Sequence, residues 1–439
     1  MAAIGVLSRR GLQAIVSAVQ TQPWRCLPSA IGQQNGVSTS CASMQAQPQL
    51  DVQDAPVSTG EAQGSLGTFE LGAIRNDWSR EEVAAVYNTP LLDLVYKAAS
   101  VHRMYNDPQM VQRCTLLSIK TGGCPETCNY CAQSSSWSKD VGLKAEKLMD
   151  LDSVYEAALR AKEAGSTRFC MGAAWRGPTQ VGKRQWERVL DMVGKIRGLN
   201  MEVCTTLGML TSEQAAQLRT AGLTAYNHNL DTSPEYYPKV TSSRKYQDRL
   251  DTLQSVREAG ISVCAGGIIG LGEGPKDRVG LIHQLATLPE HPESVPINAL
   301  VAVAGTPMQD NKPPSAVDIV RCVATARVTM PRSVVRLSAG RLNFSLTDQA
   351  LCFMAGANSI FDGDKLLTTK NNERNADLEM FEELGLKSRP AFVPYPAGAS
   401  SSDGSAAHGA AAAQQLAGAN QLATAATVAA VQQQAVASA

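Results

Sequence analysis

The chain has no excess charge of either sign, because its 439 residues carry 40 Lys and Arg against 40 Asp and Glu. A surface without a dominant field gives no support for a polyanion partner such as nucleic acid. No apolar run reaches the 18 or more residues expected of a membrane-spanning helix. No secretory h-region with a cleavage site precedes the 11 cysteines, so they read as ligands and buried thiols of a reducing compartment rather than as a disulfide framework. The ends lack charge too. Residues 1–50 contain no Asp or Glu, while Arg9, Arg10 and Arg25 sit among Ser, Thr, Gln and Ala. That composition is expected of a mitochondrial transit peptide, or less favourably a plastid one, with an unaddressed leader as the alternative. From about Pro394 onward Ala, Gln, Ser and Gly prevail with almost no charge, which is too little to build a core. The expected organisation is a leader over 1–75, a folded domain over 76–390 and a low-complexity tail over 391–439. Cys26 and Cys41 fall in the leader, outside the chemistry.

The middle of the chain alternates short β-like runs with amphipathic helical stretches, the pattern of parallel βα units. Eight runs are legible, at 115–119, 167–171, 201–205, 225–229, 262–269, 295–303, 334–337 and 359–361. Between them, Val154, Ala157, Ala158, Ala161 and Ala164 mark one buried helix face, and Gly260 after Glu258-Ala259 marks a helix end. Eight alternations in about 250 residues predict an α/β fold, a complete (βα)8 TIM-type barrel, preceded by an N-terminal helical extension over 80–100. A doubly wound sheet is the competing architecture. In a barrel the functional residues collect at the C-terminal ends of the strands. Cys170 and Cys204 close runs two and three; Asn227, Asn229 and Asp231 leave run four; Cys264, Asn298 and Arg336 lie in runs five to seven; Asp362 follows run eight.

The stretch KTGGCPETCNYCAQSS, 120–135, puts Cys124, Cys128 and Cys131 within eight residues. Structural zinc takes four ligands and disulfides take cysteines in pairs. Three thiolates on one loop suit three corners of a [4Fe–4S] cluster and leave one iron open for a small molecule. The alternative is a zinc knuckle completed by a distant histidine, but none of the five histidines stands in C-x-x-H spacing to the triplet. Cys170, Cys204 and Cys264 end three runs whose inward residues converge on the barrel axis. They read either as a second ligand set or as three buried free cysteines. Cys114, Cys322 and Cys352 read as small buried hydrophobes, and His228 as a structural histidine on the opposite strand face from its flanking asparagines.

The spacing CxxxCxΦC, with Tyr130 as the aromatic, resembles the signature of the radical S-adenosylmethionine (SAM) enzymes. Six further stretches resemble one family among them, the biotin synthases: STRFCMGAAW (166–175), YNHNLDTS (226–233), GISVCAGGIIGLGE (260–273), SVPINALV (294–301), VRLSAGR (335–341) and CFMAGANSIFDGDKLLTT (352–369). The resemblance runs over about 78–389. It implies a [4Fe–4S] cluster on Cys124, Cys128 and Cys131 whose open iron is chelated by SAM. It also implies an auxiliary [2Fe–2S] cluster on Cys170, Cys204, Cys264 and Arg336. Arginine is an unexpected ligand, since its pKa lies above about 12, and on the residues alone Arg336 reads as an interior ion pair.

By the same resemblance Tyr130, Asn229, Asp231, Gly270 and Glu273 contact SAM, and Thr368 and Thr369 meet the carboxylate of dethiobiotin, although a plain turn explains the two threonines equally well. Asn227, Asn229 and Asn298 offer the paired donors and acceptors that suit its ureido ring. The implied activity is sulfur insertion into dethiobiotin at two unactivated C–H bonds, consuming two SAM, with no side chain serving as acid or base. Implied partners are a ferredoxin- or flavodoxin-type electron donor, the iron–sulfur assembly machinery and a second copy of the chain in a homodimer. The alternatives are another sulfur-inserting radical SAM enzyme of the lipoyl synthase kind, and an iron–sulfur carrier without catalysis. The residues after VRLSAGR, Leu342-Asn-Phe-Ser345, and the Ala/Gln-rich tail depart from the family pattern.

Overall fold

The computed structural model describes residues 69–392 apart from 364 and 373. Most of the expected leader and nearly all of the expected tail, with Cys26, Cys41 and His408, lie outside the described residues. Helices α1 (Arg80–Asn88) and α2 (Leu91–Tyr105) come first. The helical segment expected over 80–100 is thus two helices. Pro90 disfavours helical backbone at Thr89, which sits at φ −51°, ψ 141°. A reciprocal capping box, Ser79 with Glu82, starts α1.

The barrel follows in βα order: β1 (Met110–Lys120), α3 (Ser138–Val141), α4 (Leu151–Glu163), β2 (Arg168–Ala173), α5 (Lys183–Arg197), β3 (Glu202–Thr206), α6 (Ser212–Thr220), β4 (Ala225–Asn227), α7 (Tyr246–Glu258), β5 (Ser262–Cys264) and β6 (Gly267–Ile269). It continues with α8 (Pro275–Ala286), β7 (Ser294–Ala299), α9 (Ala316–Thr329), β8 (Val334–Leu337), α10 (Leu346–Met354), β9 (Ser359–Asp362), α11 (Arg374–Glu383) and β10 (Lys387–Ser388). Every strand pair is parallel, and β9 pairs back onto β1, so the sheet closes. Parallel strands joined by helices bury both faces, hence the near-continuous burial along β2, β7 and β8.

Two details refine the expected strand plan. The fifth run is broken into β5 and β6 at Ala265-Gly266, where a Cβ on Gly266 would lie 2.0 Å from the Pro296 carbonyl oxygen. A short tenth strand, β10, pairs with the start of β1 and seats the end of the described chain beneath the barrel. The helix face expected in α4 is present, with Val154, Ala158 and Ala161 buried, and Gly260 follows α7 in left-handed backbone at φ 70°. No helix among the described residues is long and apolar enough to cross a membrane.

Candidate active site

The loop after β1 is fixed by its own backbone. Gly122 and Gly123 both adopt left-handed φ, near 70°, and a Cβ on Gly122 would press on the Lys144 carbonyl at 3.0 Å. The turn they make allows Cys124 N–H to donate to the Gln133 carbonyl (2.9 Å) and Ser135 N–H to donate to the Cys124 carbonyl (2.7 Å). Trp137 Nε1–H donates to the Cys128 carbonyl, and Asn129 N–H to that of Val240. Cys124, Cys128 and Cys131 thereby face one cavity of about 320 Å³ at the C-terminal mouth of the barrel. Burial pushes the Cys131 thiol up to about 12, with Cys128 adding to it, and raises Cys124 as well. Iron must therefore displace protons to bind there.

The far end of the same cavity is lined by Cys170, Cys204 and Arg336. Side chains of alternate strand residues enter the barrel in layers. Gln112, Arg168 and Glu202 close the floor through hydrogen bonds and an ion pair of 2.6 Å between Arg168 and Glu202. One layer above, Cys170 and Cys204 are direct register partners across β2 and β3. Cys170 contacts Cys114 and Cys204, and Cys204 contacts Cys264. The Arg336 guanidinium lies between the ends of this string, its Nη1–H donating toward Cys264 Sγ (3.6 Å) and its Nη2–H toward Cys114 Sγ (3.4 Å). Its Nε–H donates to Ser359 Oγ (2.9 Å), and the group stacks on Phe361 at 5.0 Å. Cys264 stands behind the cavity wall and is reached by Asn227 Nδ2–H (3.3 Å).

The wall between the two ends is polar and charged. Asp231, in left-handed backbone at φ 65°, is ion-paired with Arg249. Arg249 also donates to Tyr237 Oη (2.7 Å) and to the Asn229 carbonyl (2.5 Å). Arg244 reaches Cys128 Sγ at 3.8 Å and pairs with the buried Glu126, which Arg176 also approaches at 3.3 Å. Glu126, Arg244 and Arg249 all line the cavity, and sequence reasoning passed over them. Glu126 stands inside the cysteine triplet and Arg244 and Arg249 recur at and just before α7, where arginine reads equally well as surface charge.

Of the other expected site residues, Tyr130, Asn227, Asn229, Asn298, Thr368 and Thr369 line the cavity with Asp231. Asn298 uses its amide within the fold, donating to the Gly267 carbonyl (3.0 Å) and accepting from Ala339 N–H (3.3 Å). Gly270 and Glu273 are not on the cavity wall. The Glu273 carboxylate accepts from Gly270 N–H (3.0 Å) and pairs with Arg278 (2.9 Å), and Gly270 packs toward Pro314. Asp362 is also taken out of the cavity, pairing with Arg113 (2.7 Å) and accepting from Ser166 and Thr115. His228 lines the wall with its pKa held well below the usual range by burial, so it is a neutral imidazole. Cys322 and Cys352 lie in the apolar core. Cys114 is buried as well, in a separate small cluster with Cys170, Cys204 and Ala225.

Residues 118–285 match the Radical SAM superfamily model, and 296–387 match the Biotin and Thiamin Synthesis associated domain. Over 329 residues the chain is 59% identical to the mitochondrial biotin synthase of Arabidopsis thaliana, covering 75% of this chain and 85% of that one. It is 60% identical to the biotin synthase of Cytophaga hutchinsonii (73% and 94% covered) and 51% identical to that of Schizosaccharomyces pombe (76% and 92% covered). The chain belongs to the biotin synthase family. Solved structures agree on the fold: methylornithine synthase superposes with a TM-score of 0.60 at 16% identity, covering 71% of this chain and 94% of that one. The FeFe-hydrogenase maturase HydG from Carboxydothermus hydrogenoformans gives 0.61 at 17% identity, covering 70% and 75%.

A radical SAM enzyme implies a [4Fe–4S] cluster and SAM. The residues fit that requirement, because three thiols share one rim of a cavity that continues past Asn229 and Asp231. Among the described residues no three His, Cys, Asp or Glu converge on a single metal-ion position. A cubane takes each thiolate on a different iron, so a cysteine set for it need not converge on one ion position.

Proposed function

We propose that the chain converts dethiobiotin to biotin by SAM-dependent sulfur insertion, in one cavity whose rim and interior each carry a cysteine set. The observation that carries this reading is the shared cavity, with Cys124, Cys128 and Cys131 at one end and Cys170, Cys204 and Arg336 at the other. Cys124, Cys128 and Cys131 hold the [4Fe–4S] cluster, and Cys170, Cys204, Cys264 and Arg336 hold an auxiliary [2Fe–2S] cluster. When bound, these groups supply a 5′-deoxyadenosyl radical and the sulfur to be inserted. The protein's part is to bind, orient and exclude water.

Asn229 and Asp231 hold the SAM ribose and Tyr130 lies by its adenine, while Gly270 and Glu273 shape the neighbouring β6 loop. Arg249 fixes Asp231, and Arg244 offsets the charge of the cysteine loop. Asn227, Asn229 and Asn298 orient the ureido ring between the two cysteine sets, and Thr368 and Thr369 receive the carboxylate. Residues 76–390 form the catalytic domain, 1–75 a mitochondrial transit peptide and leader, and 391–439 an accessory tail; the mitochondrial address rests on the acid-free leader and on the printed name of the Arabidopsis relative. The working enzyme is a homodimer, reduced by a ferredoxin- or flavodoxin-type donor and loaded by iron–sulfur assembly proteins.

The test is anaerobic turnover of dethiobiotin with SAM and a reductant, comparing the wild type with Asn298→Ala. The expected result is biotin formation by the wild type, and near-complete loss in the variant with iron and sulfide content unchanged. An unchanged conversion rate in the variant contradicts the assignment of Asn298, and no biotin from a fully loaded wild type contradicts the function.

A further inference from the structure

The interior cysteine layer contains one more thiol than the proposed ligand set uses. Cys114, on β1, is fully buried and packs with Cys170, Cys204 and Ala225, but its sulfur also meets polar groups. Its Sγ lies 3.4 Å from Arg336 Nη2, 3.6 Å from Gln112 Oε1 and 3.7 Å from Ser359 Oγ, and it contacts Cys170. The contacts close a ring: Cys114 to Cys170, Cys170 to Cys204, Cys204 to Cys264, Cys264 to Arg336, and Arg336 back to Cys114. Four thiols from β1, β2, β3 and β5 therefore form one string whose two ends, Cys114 and Cys264, meet at a single guanidinium. A cysteine kept only for packing has a different setting. Cys322, on α9, and Cys352, on α10, lie instead in the main hydrophobic core, where Cys322 is within reach of Tyr87.

A two-iron cluster is ordinarily held by four cysteine thiolates, and a guanidinium has donors but no acceptor lone pair. Resting on the assignment of Cys170, Cys204, Cys264 and Arg336 to the auxiliary cluster, we propose that Cys114 is an alternative ligand of that cluster, able to take the iron position of Arg336. The interior site then has two coordination modes, three cysteines with arginine and four cysteines. Cys114 and Arg336 already touch, so the two stand side by side at this edge of the site. As Cys114 takes the position, its thiol proton would pass to the departing guanidine, restoring a guanidinium free to donate to sulfur.

The full chain is reconstituted anaerobically with ⁵⁷Fe and sulfide, as wild type, Cys114→Ser, Arg336→Met and the double variant, with circular dichroism recording the fold. Iron and sulfide content, Mössbauer spectra and resonance Raman Fe–S stretching bands are measured. Arg336→Met is expected to retain the two-iron cluster with the Raman pattern of all-cysteine ligation, Cys114→Ser to retain the wild-type pattern, and the double variant to lose occupancy of that cluster by about tenfold or more. Arg336→Gln, which can still hydrogen-bond Ser359, gives the same comparison should the methionine variant not fold. The proposal is overturned if removing Arg336 empties the site whether or not Cys114 is present, or if the double variant keeps the cluster. A wild type that shows no two-iron signal refutes the auxiliary-cluster assignment itself, a failure distinct from either of these.

Discussion

Asp231 shows how the site is held at the level of single residues. Its backbone is left-handed and its carboxylate is paired with Arg249, and both side chains are almost wholly buried. Removing one member of such a pair leaves the other charge uncompensated, at a cost of about 3–5 kcal/mol. Asp231→Ala should lower the stability of the iron-free chain by that order in urea titrations. Asp231→Asn, which tolerates left-handed backbone and keeps a hydrogen-bonding oxygen, should lose less. Equal losses would place the effect in the lost charge rather than in the backbone or the hydrogen bond. His102 gives a pH-dependent counterpart. It is 1% exposed, and burial drives its pKa down to about 2, with Arg327 and Arg103 pushing the same way. Below about 6.5 the unfolded chain takes up a proton that folded His102 refuses, so stability falls with falling pH, by about 1.4 kcal/mol per unit for each such group. His102→Leu should flatten the slope between pH 5 and 6.5 without abolishing it, since neutral His228 acts in the same sense. An unchanged slope would count against a neutral His102 in the fold.

Elements are joined by contacts that the local sequence does not announce. Arg327 on α9 is fully buried, has no carboxylate partner among the described residues, and donates to the carbonyls of Pro331 and Ser333 (2.7 Å each) and Gly356 (2.8 Å), tying α9 to the segments that enter β8 and β9. Arg327→Met keeps much of the volume but strands these carbonyls, at about 1–3 kcal/mol for each one left unsatisfied, and should show as a large fall in melting temperature. The strand runs were legible because parallel strands leave apolar stretches between amphipathic helices, and β8 has the very bounds read for it. The β5–β6 break was not, because it arises where Gly266 meets Pro296 from another strand. The triplet Cys124, Cys128 and Cys131 stood out by its spacing, whereas order along the strands left Cys170, Cys204 and Cys264 open between a ligand set and buried thiols, and only the resemblance implied the set. Cys114 was not legible, since nothing local distinguishes a cysteine facing the barrel axis from Cys322 or Cys352 in the core. Glu126, Arg244 and Arg249 were missed because their aim into the cavity depends on how the 237–249 segment folds against the cysteine loop.

For the whole molecule, the described chain ends where the barrel floor is sealed. Lys387 and Arg389 backbone N–H groups donate to Gln109 and Val111, and Phe392 N–H donates to Glu202 beneath the interior cysteines. Truncation after Phe392 should leave turnover at the wild-type level, the removed residues being a low-complexity Ala/Gln-rich stretch with few large apolar side chains. Truncation after Leu384 should cut both melting temperature and interior cluster occupancy, because it removes β10 and uncovers Glu202. Equal behaviour of the two truncations would deny the floor this role. The central claim is that one cavity holds two separate clusters on two cysteine sets. ⁵⁷Fe Mössbauer spectroscopy of the anaerobically reconstituted chain tests it most directly, with Cys128→Ala and Cys204→Ala beside the wild type. Two cluster signals are expected in the wild type, with only the four-iron signal lost in the first variant and only the two-iron signal in the second. A single signal in the wild type, or joint loss of both in either correctly folded variant, would contradict it.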